Sequence, residues 1–170
     1  MGRPVRVLRG NAQEALVSVH NLKMPGWALY GFDALTGKVN WRHPRLSILA
    51  VSDLNSDGTM EIISERQPGP IKVEFPGIEV GRVTGTGNAR RYQTLWNHPA
   101  ARLERNERLP LRQDKGGYAL DTFLRFQSFF FADLEGDGDQ EFLVAVDEDA
   151  DQSADKLIAV GWAGGRIVSK

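Results

Sequence analysis

The sequence predicts an all-β fold made of about three four-stranded antiparallel units. Three observations predict it. Apolar and polar residues alternate at the two-residue period of a half-buried strand, with glycine-bearing turns between the runs. One segment recurs: Gln13-Glu14-Ala15-Leu16-Val17-Ser18-Val19 matches Gln140-Glu141-Phe142-Leu143-Val144-Ala145-Val146 at five of seven positions. A nine-residue acidic turn occurs twice, each time running into an apolar stretch rich in strand formers.

The elements follow in order. The first unit has strands at 5–8, 14–19, 27–32 and 38–41. Its last two form a hairpin in which Tyr30-Gly31-Phe32-Asp33 turns through Thr36-Gly37-Lys38 into Val39-Asn40-Trp41. The second unit has strands at 47–52, 61–64, 71–75 (or 78–83) and 91–96. The third has strands at 128–132, 141–146, 157–162 and 166–169, the last pair joined by the turn Ala163-Gly164-Gly165. Met60-Glu61-Ile62-Ile63-Ser64 falls in the frame of the repeated segment, so a glutamate recurs at 14, 61 and 141. Trp41-Arg42-His43-Pro44 returns as Trp96-Asn97-His98-Pro99 in the same frame. The units then span about 1–44, 45–99 and 125–170 of a single domain covering 1–170. The glutamate spacings are 47 and 80 residues, and the surplus is assigned to an insertion at about 100–126. Residues 101–109 hold helix formers with Glu104 and Arg108 at helical spacing, so a solvated loop with a short helix ending at Pro110 is expected there. Three units of four antiparallel strands are similar to three blades of a β-propeller.

The totals are those of a globular domain. The chain has 170 residues, 41% hydrophobic and 25% charged, with a formal net charge of -1. That length buries a real core, and that charge gives no general pull toward nucleic acid or an anionic membrane. The absence of cysteine excludes disulfides, thiolate metal sites and thiol catalysis. No apolar run approaches the ~20 residues of a membrane span, so no membrane insertion is expected. Met1 to Gly10 is basic without an apolar core, and no signal peptide is read there.

The chemistry is concentrated in the two acidic turns. Asp53, Asn55, Asp57 and Glu61 fall at positions one, three, five and nine of the first, with Gly58 at six. Asp133, Glu135, Asp137 and Glu141 repeat the pattern in the second, with Gly138 at six. Hard cations take six to eight oxygens, and short alternating acidic side chains converge on one point. The glycine admits a positive φ and turns the carbonyl of Thr59 or Asp139 inward. We therefore expect two Ca²⁺ sites, one on Asp53, Asn55, Asp57, Thr59 and Glu61, the other on Asp133, Glu135, Asp137, Asp139 and Glu141. An EF-hand is excluded: its position twelve needs a bidentate Glu, and Ser64 and Val144 stand there. The matching turn of the first unit, around Arg9 to Glu14, lacks the aspartates and is expected to be metal-free. Asp147, Glu148, Asp149, Asp151 and Asp155 lack a curling glycine and read as a solvated hairpin loop.

Both loops, with the apolar stretches 48–51 and 129–131 that precede them, resemble the FG-GAP/VCBS repeat family, the calcium-binding blades also found in integrin α-subunit propellers. The resemblance is carried by Asp53, Asn55, Asp57, Gly58 and Glu61, and by Asp133, Glu135, Asp137, Gly138 and Glu141. This chain departs from the family at position nine, Glu where Asp is common, and at Glu135. The hairpin from Asp33 through Thr36-Gly37 to Trp41 is similar to the blade ends of quinoprotein-like propellers, where the tryptophan docks between blades.

Catalytic signals are poor. His43 and His98 occupy equivalent repeat positions, as packing residues do, and no H-E-x-x-H or G-x-S-x-G occurs. The resemblance implies a binding or scaffold module for a protein or carbohydrate ligand, in an extracellular or cell-surface setting. The alternative is a fragment of a propeller enzyme, such as a polysaccharide lyase or quinoprotein, whose chemistry lies in other blades. Glycan binding without turnover favours the first, and bond cleavage or a bound quinone the second. Closed propellers use four to eight blades, so three imply either part of a longer propeller or association of copies, of which a dimer is the simplest.

Overall fold

The computed structural model describes residues 6–7, 14–20, 27–66, 77–86, 89–102, 113–114, 117–118, 131–146, 148–149 and 155–170. Among them the regular structure is strand, arranged in three stacked antiparallel sheets and one small hairpin. Sheet 1 runs β1 (Arg6–Val7), β2 (Glu14–His20), β3 (Trp27–Asp33) and β4 (Val39–Pro44) in sequence order. Sheet 2 runs β5 (Leu46–Ser52), β6 (Glu61–Arg66), β7 (Gly77–Thr84) and β8 (Arg91–His98). Next come β9 (Ala101–Arg102) and the hairpin of β10 (Gln113–Asp114) with β11 (Gly117–Tyr118). Sheet 3 then runs β12 (Phe131–Ala132), β13 (Glu141–Val146), β14 (Lys156–Ala163) and β15 (Arg166–Ser169), with β9 also paired to β13.

The all-β prediction and its three units hold, and the second strand of each sheet begins on Glu14, Glu61 or Glu141. One expectation needs correction, and one choice between alternatives is decided. The helix expected over 101–109 gives way at its start to strand: Ala101 and Arg102 pair with Val146 and Ala145, and 103–109 lie outside the described residues. Of the alternatives for the third strand of sheet 2, the structure has Gly77–Thr84, while 67–76 lie outside the described residues.

The placement of β9 explains the long insertion. β12 covers the start of β13 through Phe131 opposite Phe142, and β9 covers its end through Arg102 opposite Ala145. In sheet 2 one continuous strand, β5, spans the same edge from Ser52 opposite Glu61 to Leu46 opposite Arg66. Among the described residues the first strand of sheet 3 is thus supplied in two pieces, which 103–130 joins in sequence.

Core residues lie between the sheets. Leu16, Leu29 and Trp41 of sheet 1 pack on Leu46, Ile48 and Ile62 of sheet 2. Ile63, Ile78 and Val80, on the opposite face of sheet 2, pack on Phe142, Val144 and Val160 of sheet 3. Full burial of each such side chain contributes roughly 1.5–3 kcal/mol. The step between sheets 1 and 2 is abrupt. Arg45 adopts a left-handed φ of 63° and donates its N–H to the Trp27 carbonyl at 2.7 Å. The Ile48 N–H leaves its own ladder and donates to Ser18 Oγ across the interface at 2.7 Å, where β5 bulges. Gly31 is required where it stands: a Cβ there would lie 2.2 Å from Trp41 Nε1, so the indole lies directly on β3.

Candidate cation loops

The acidic turns join the first and second strands of sheets 2 and 3, and they are built alike. Positions four and six are left-handed in both: Ser56 (φ 55°) and Gly58 (83°) in one, Gly136 (76°) and Gly138 (92°) in the other. The opening aspartate gathers the loop's N–H groups. Asp53 Oδ1 accepts from Asp57 N–H at 3.0 Å and Oδ2 from Gly58 N–H at 2.8 Å. Asp133 Oδ1 accepts from Gly136 and Asp137 N–H at 2.6 and 3.1 Å, and Oδ2 from Gly138 N–H at 2.9 Å. Position five repeats the device two residues on, Asp57 Oδ1 accepting from Thr59 N–H and Asp137 Oδ1 from Asp139 N–H. Such bonds favour the ionised form. The Asn55 side-chain amide, before the Thr59 N–H, holds Asp57 below the usual aspartate range, and the Gly138 N–H does the same for Asp133.

Position nine closes each loop from the outgoing strand. Glu61 Oε2 accepts from Leu54 N–H at 3.0 Å, and Glu141 Oε2 from Leu134 N–H at 2.9 Å. Both glutamates are buried, at 0% and 1% exposure. In both, Oε1 is buried with no hydrogen-bond partner. Burial first, and then the charges of Asp57 and Asp53, push the Glu61 carboxyl up despite the Leu54 N–H. Burial and then Asp137, Glu141 and Asp133 push Asp139 up.

Cationic side chains approach each loop. Arg82 Nη1 stands 3.8 Å from Asp57 Oδ2. Lys170 pairs with Glu135 and stands 3.6 Å from Glu141 Oε1, and Glu135 holds its ammonium above the usual lysine range. As the side chains stand, the carboxylates are turned onto the loop N–H groups. Among the described residues no three His, Asp or Glu side chains are grouped closely enough to hold a metal ion. The donor set is nonetheless all oxygen, as a hard divalent cation requires, and each loop has one buried carboxylate oxygen that accepts no hydrogen bond.

Sequence reasoning missed that the loops touch. Gln140 N–H donates to the Leu54 carbonyl at 2.8 Å, Ser56 Oγ to the Gly138 carbonyl at 3.3 Å, and Ser52 Oγ to Gln140 Oε1 at 2.9 Å. Only the repeated Gln-Glu before each outgoing strand of sheets 1 and 3 hinted at a special role for Gln140.

The corresponding glutamate of sheet 1 has a different environment. Glu14 Oε1 accepts from Trp41 Nε1 at 3.0 Å, Arg90 Nη1 at 3.1 Å and Asn40 Nδ2 at 3.2 Å. Residues 8–13 of that turn lie outside the described residues. His43 packs on Tyr92 with ring centroids 4.8 Å apart and planes tilted by 55°. In the acidic hairpin between β13 and β14, Asp155 Oδ2 accepts from Glu148 N–H, and both residues are exposed. No protein-family model, no curated protein and no solved structure matches this chain.

Proposed function

We propose that this chain is a Ca²⁺-stabilised module of the FG-GAP/VCBS type, its three sheets stacked as propeller blades, serving as a binding or scaffold unit for a protein or carbohydrate ligand in an extracellular setting. The observation that carries the reading is the matched pair of loops, each ending on a buried glutamate whose Oε1 accepts no hydrogen bond, with Glu61 Oε1 unpartnered and Glu141 Oε1 3.6 Å from the Lys170 ammonium. An unpartnered buried carboxylate oxygen is costly, and a cation offsets that cost. Asp53, Asn55, Asp57, Glu61 and the Thr59 carbonyl would hold one ion, and Asp133, Glu135, Asp137, Glu141 and the Asp139 carbonyl the other. A bound Ca²⁺ supplies positive charge to carboxylates that otherwise repel one another. The chain's own share is to gather the loop: Asp53 and Asp133 fold it around their carboxyls, and Glu61 and Glu141 tie it to the second strand. The role is structural, because the loops fasten the edges of neighbouring sheets to one another.

A thermal-melt titration tests it. Millimolar Ca²⁺ raises the melting temperature of the parent protein, and Asp57→Ala combined with Asp137→Ala abolishes the rise. A parent whose melting temperature is the same in chelator and in Ca²⁺ overturns the assignment.

A further inference from the structure

Pairing registers place the three sheets in one frame. Leu16 lies opposite Gly31, and Ser18 opposite Leu29, in sheet 1. Ile63 opposite Val80 and Glu65 opposite Ile78 are the counterparts in sheet 2. In sheet 3 they are Leu143 opposite Ala159 and Ala145 opposite Leu157. Leu16, Ile63 and Leu143 are therefore one position of the repeat, and Leu29, Ile78 and Leu157 another. The first two members of each set are at most 1% exposed, because the next sheet covers them. Leu143 is 42% exposed and Leu157 62%.

The other end of the stack mirrors this. Val144 and Val160 of sheet 3 are buried against sheet 2, the sheet before them. By the same registers their counterparts in sheet 1 are Val17 and Phe32, which stand half-buried on its free face beside Tyr30. Tyr30 and Phe32 stack at 5.9 Å and present two large rings, whereas the free face of sheet 3 around Leu157 carries the small Ala159 and Gly161. Among the described residues, one chain thus carries two outer faces, one of each of the two kinds that meet in its own interior, and on that of sheet 3 Leu143 and Leu157 stand out beside the buried Ala145.

We infer that the free face of sheet 3, around Leu143 and Leu157, docks on the free face of sheet 1, around Val17, Tyr30 and Phe32, of a second copy of this chain. The contact continues the two interfaces already inside the chain. Two copies bring six sheets, within the four to eight of closed radial stacks, and three copies would bring nine. The dimer makes the contact twice about one two-fold axis and so closes without leaving a free face. The inference goes beyond the calcium reading and rests on the sheet stack alone.

Sedimentation equilibrium tests it, with and without Ca²⁺ so that the two readings stand or fall separately. The parent is expected at twice its 18.9 kDa. Leu157→Glu and Tyr30→Glu each place a charge in the apolar contact twice per dimer, and each weakens self-association by at least about 100-fold with an unchanged circular dichroism spectrum. Mixing the two variants restores a dimer, because one of the two contacts is then free of both substitutions. Leu143→Lys probes the same face if Leu157→Glu loses its strand spectrum. A monomeric parent at about 100 µM, well above the micromolar range of ordinary association, overturns the inference. So does a dimer that survives Leu157→Glu, or a mixture that stays monomeric.

Discussion

Replacing the head glutamate of the second strand by glutamine separates its roles in the sheets, because the substitution keeps the shape and removes the charge. Glu14 is 3% exposed and shares one oxygen among Trp41, Arg90 and Asn40. A glutamine there still accepts from the indole but gives up the charged bond to Arg90, and such a bond is worth about 1.5–3 kcal/mol. At roughly 2–4 °C per kcal/mol for a chain of this size, Glu14→Gln lowers the melting temperature by about 3–12 °C, equally in chelator and in Ca²⁺. Glu61 differs. Its amide isostere keeps the Leu54 bond and removes a charge that burial already disfavours, so Glu61→Gln in chelator stays within about 1 kcal/mol of the parent. In Ca²⁺ at about 100 times the dissociation constant, the parent gains about 2.7 kcal/mol from that loop, or about 5–11 °C, and Glu61→Gln forfeits it. Scanning calorimetry of both variants in chelator and in millimolar Ca²⁺ reads the difference. Equal shifts for Glu61→Gln in the two conditions would refute its role as an ion ligand. A Ca²⁺-dependent shift for Glu14→Gln would refute the ion-free environment assigned to sheet 1.

Two further outcomes follow from the fold. Asp33 Oδ1 accepts from the Thr36 N–H at 2.8 Å, the Leu35 N–H at 3.0 Å and the Thr36 hydroxyl at 3.0 Å, and the Thr36 bonds hold its carboxyl below the ordinary value of 3.8. A depressed folded-state pKa stabilises above the unfolded value and is lost as pH falls through the folded one. The stability difference between parent and Asp33→Asn, read by urea denaturation, is therefore constant from pH 7 to about 5 and shrinks below 3.8; a flat difference down to pH 2 would show that the charge does not hold the turn. Among the described residues β9 and β12 pair with all of β13 on that edge except Leu143 and Val144, and 103–130 joins the two strands in sequence. Replacing 103–130 by two residues rebuilds a continuous edge strand, and the shortened chain is expected to keep its β-type circular dichroism and a cooperative melt; an insoluble or unfolded product would contradict the split-strand topology.

How far the sequence could be read follows from the range of each interaction. Strands with a full run of alternation were legible: 141–146 matches β13 residue for residue, and 14–19 matches β2 to within one. β9 was not, because two residues carry no period, and what makes Ala101 and Arg102 a strand is an edge of β13 more than forty residues away. The positive φ of Gly58 and Gly138 was legible from residue type, whereas that of Ser56 was not, and only its counterpart Gly136 announces it. The three glutamates make the same point about chemistry. Their frame was visible as Glu14, Glu61 and Glu141, and the structure starts a second strand on each. Yet the charge that meets each one comes from elsewhere: Arg90 from the turn before β8, Arg82 from β7, Lys170 from the end of β15. A repeat fixes where a carboxylate enters its sheet, while the neighbouring strands decide what it can bind. Glu14, with its oxygen already shared among three donors, and Glu61, with one oxygen unpartnered, are therefore the same residue at the same position with different chemistry.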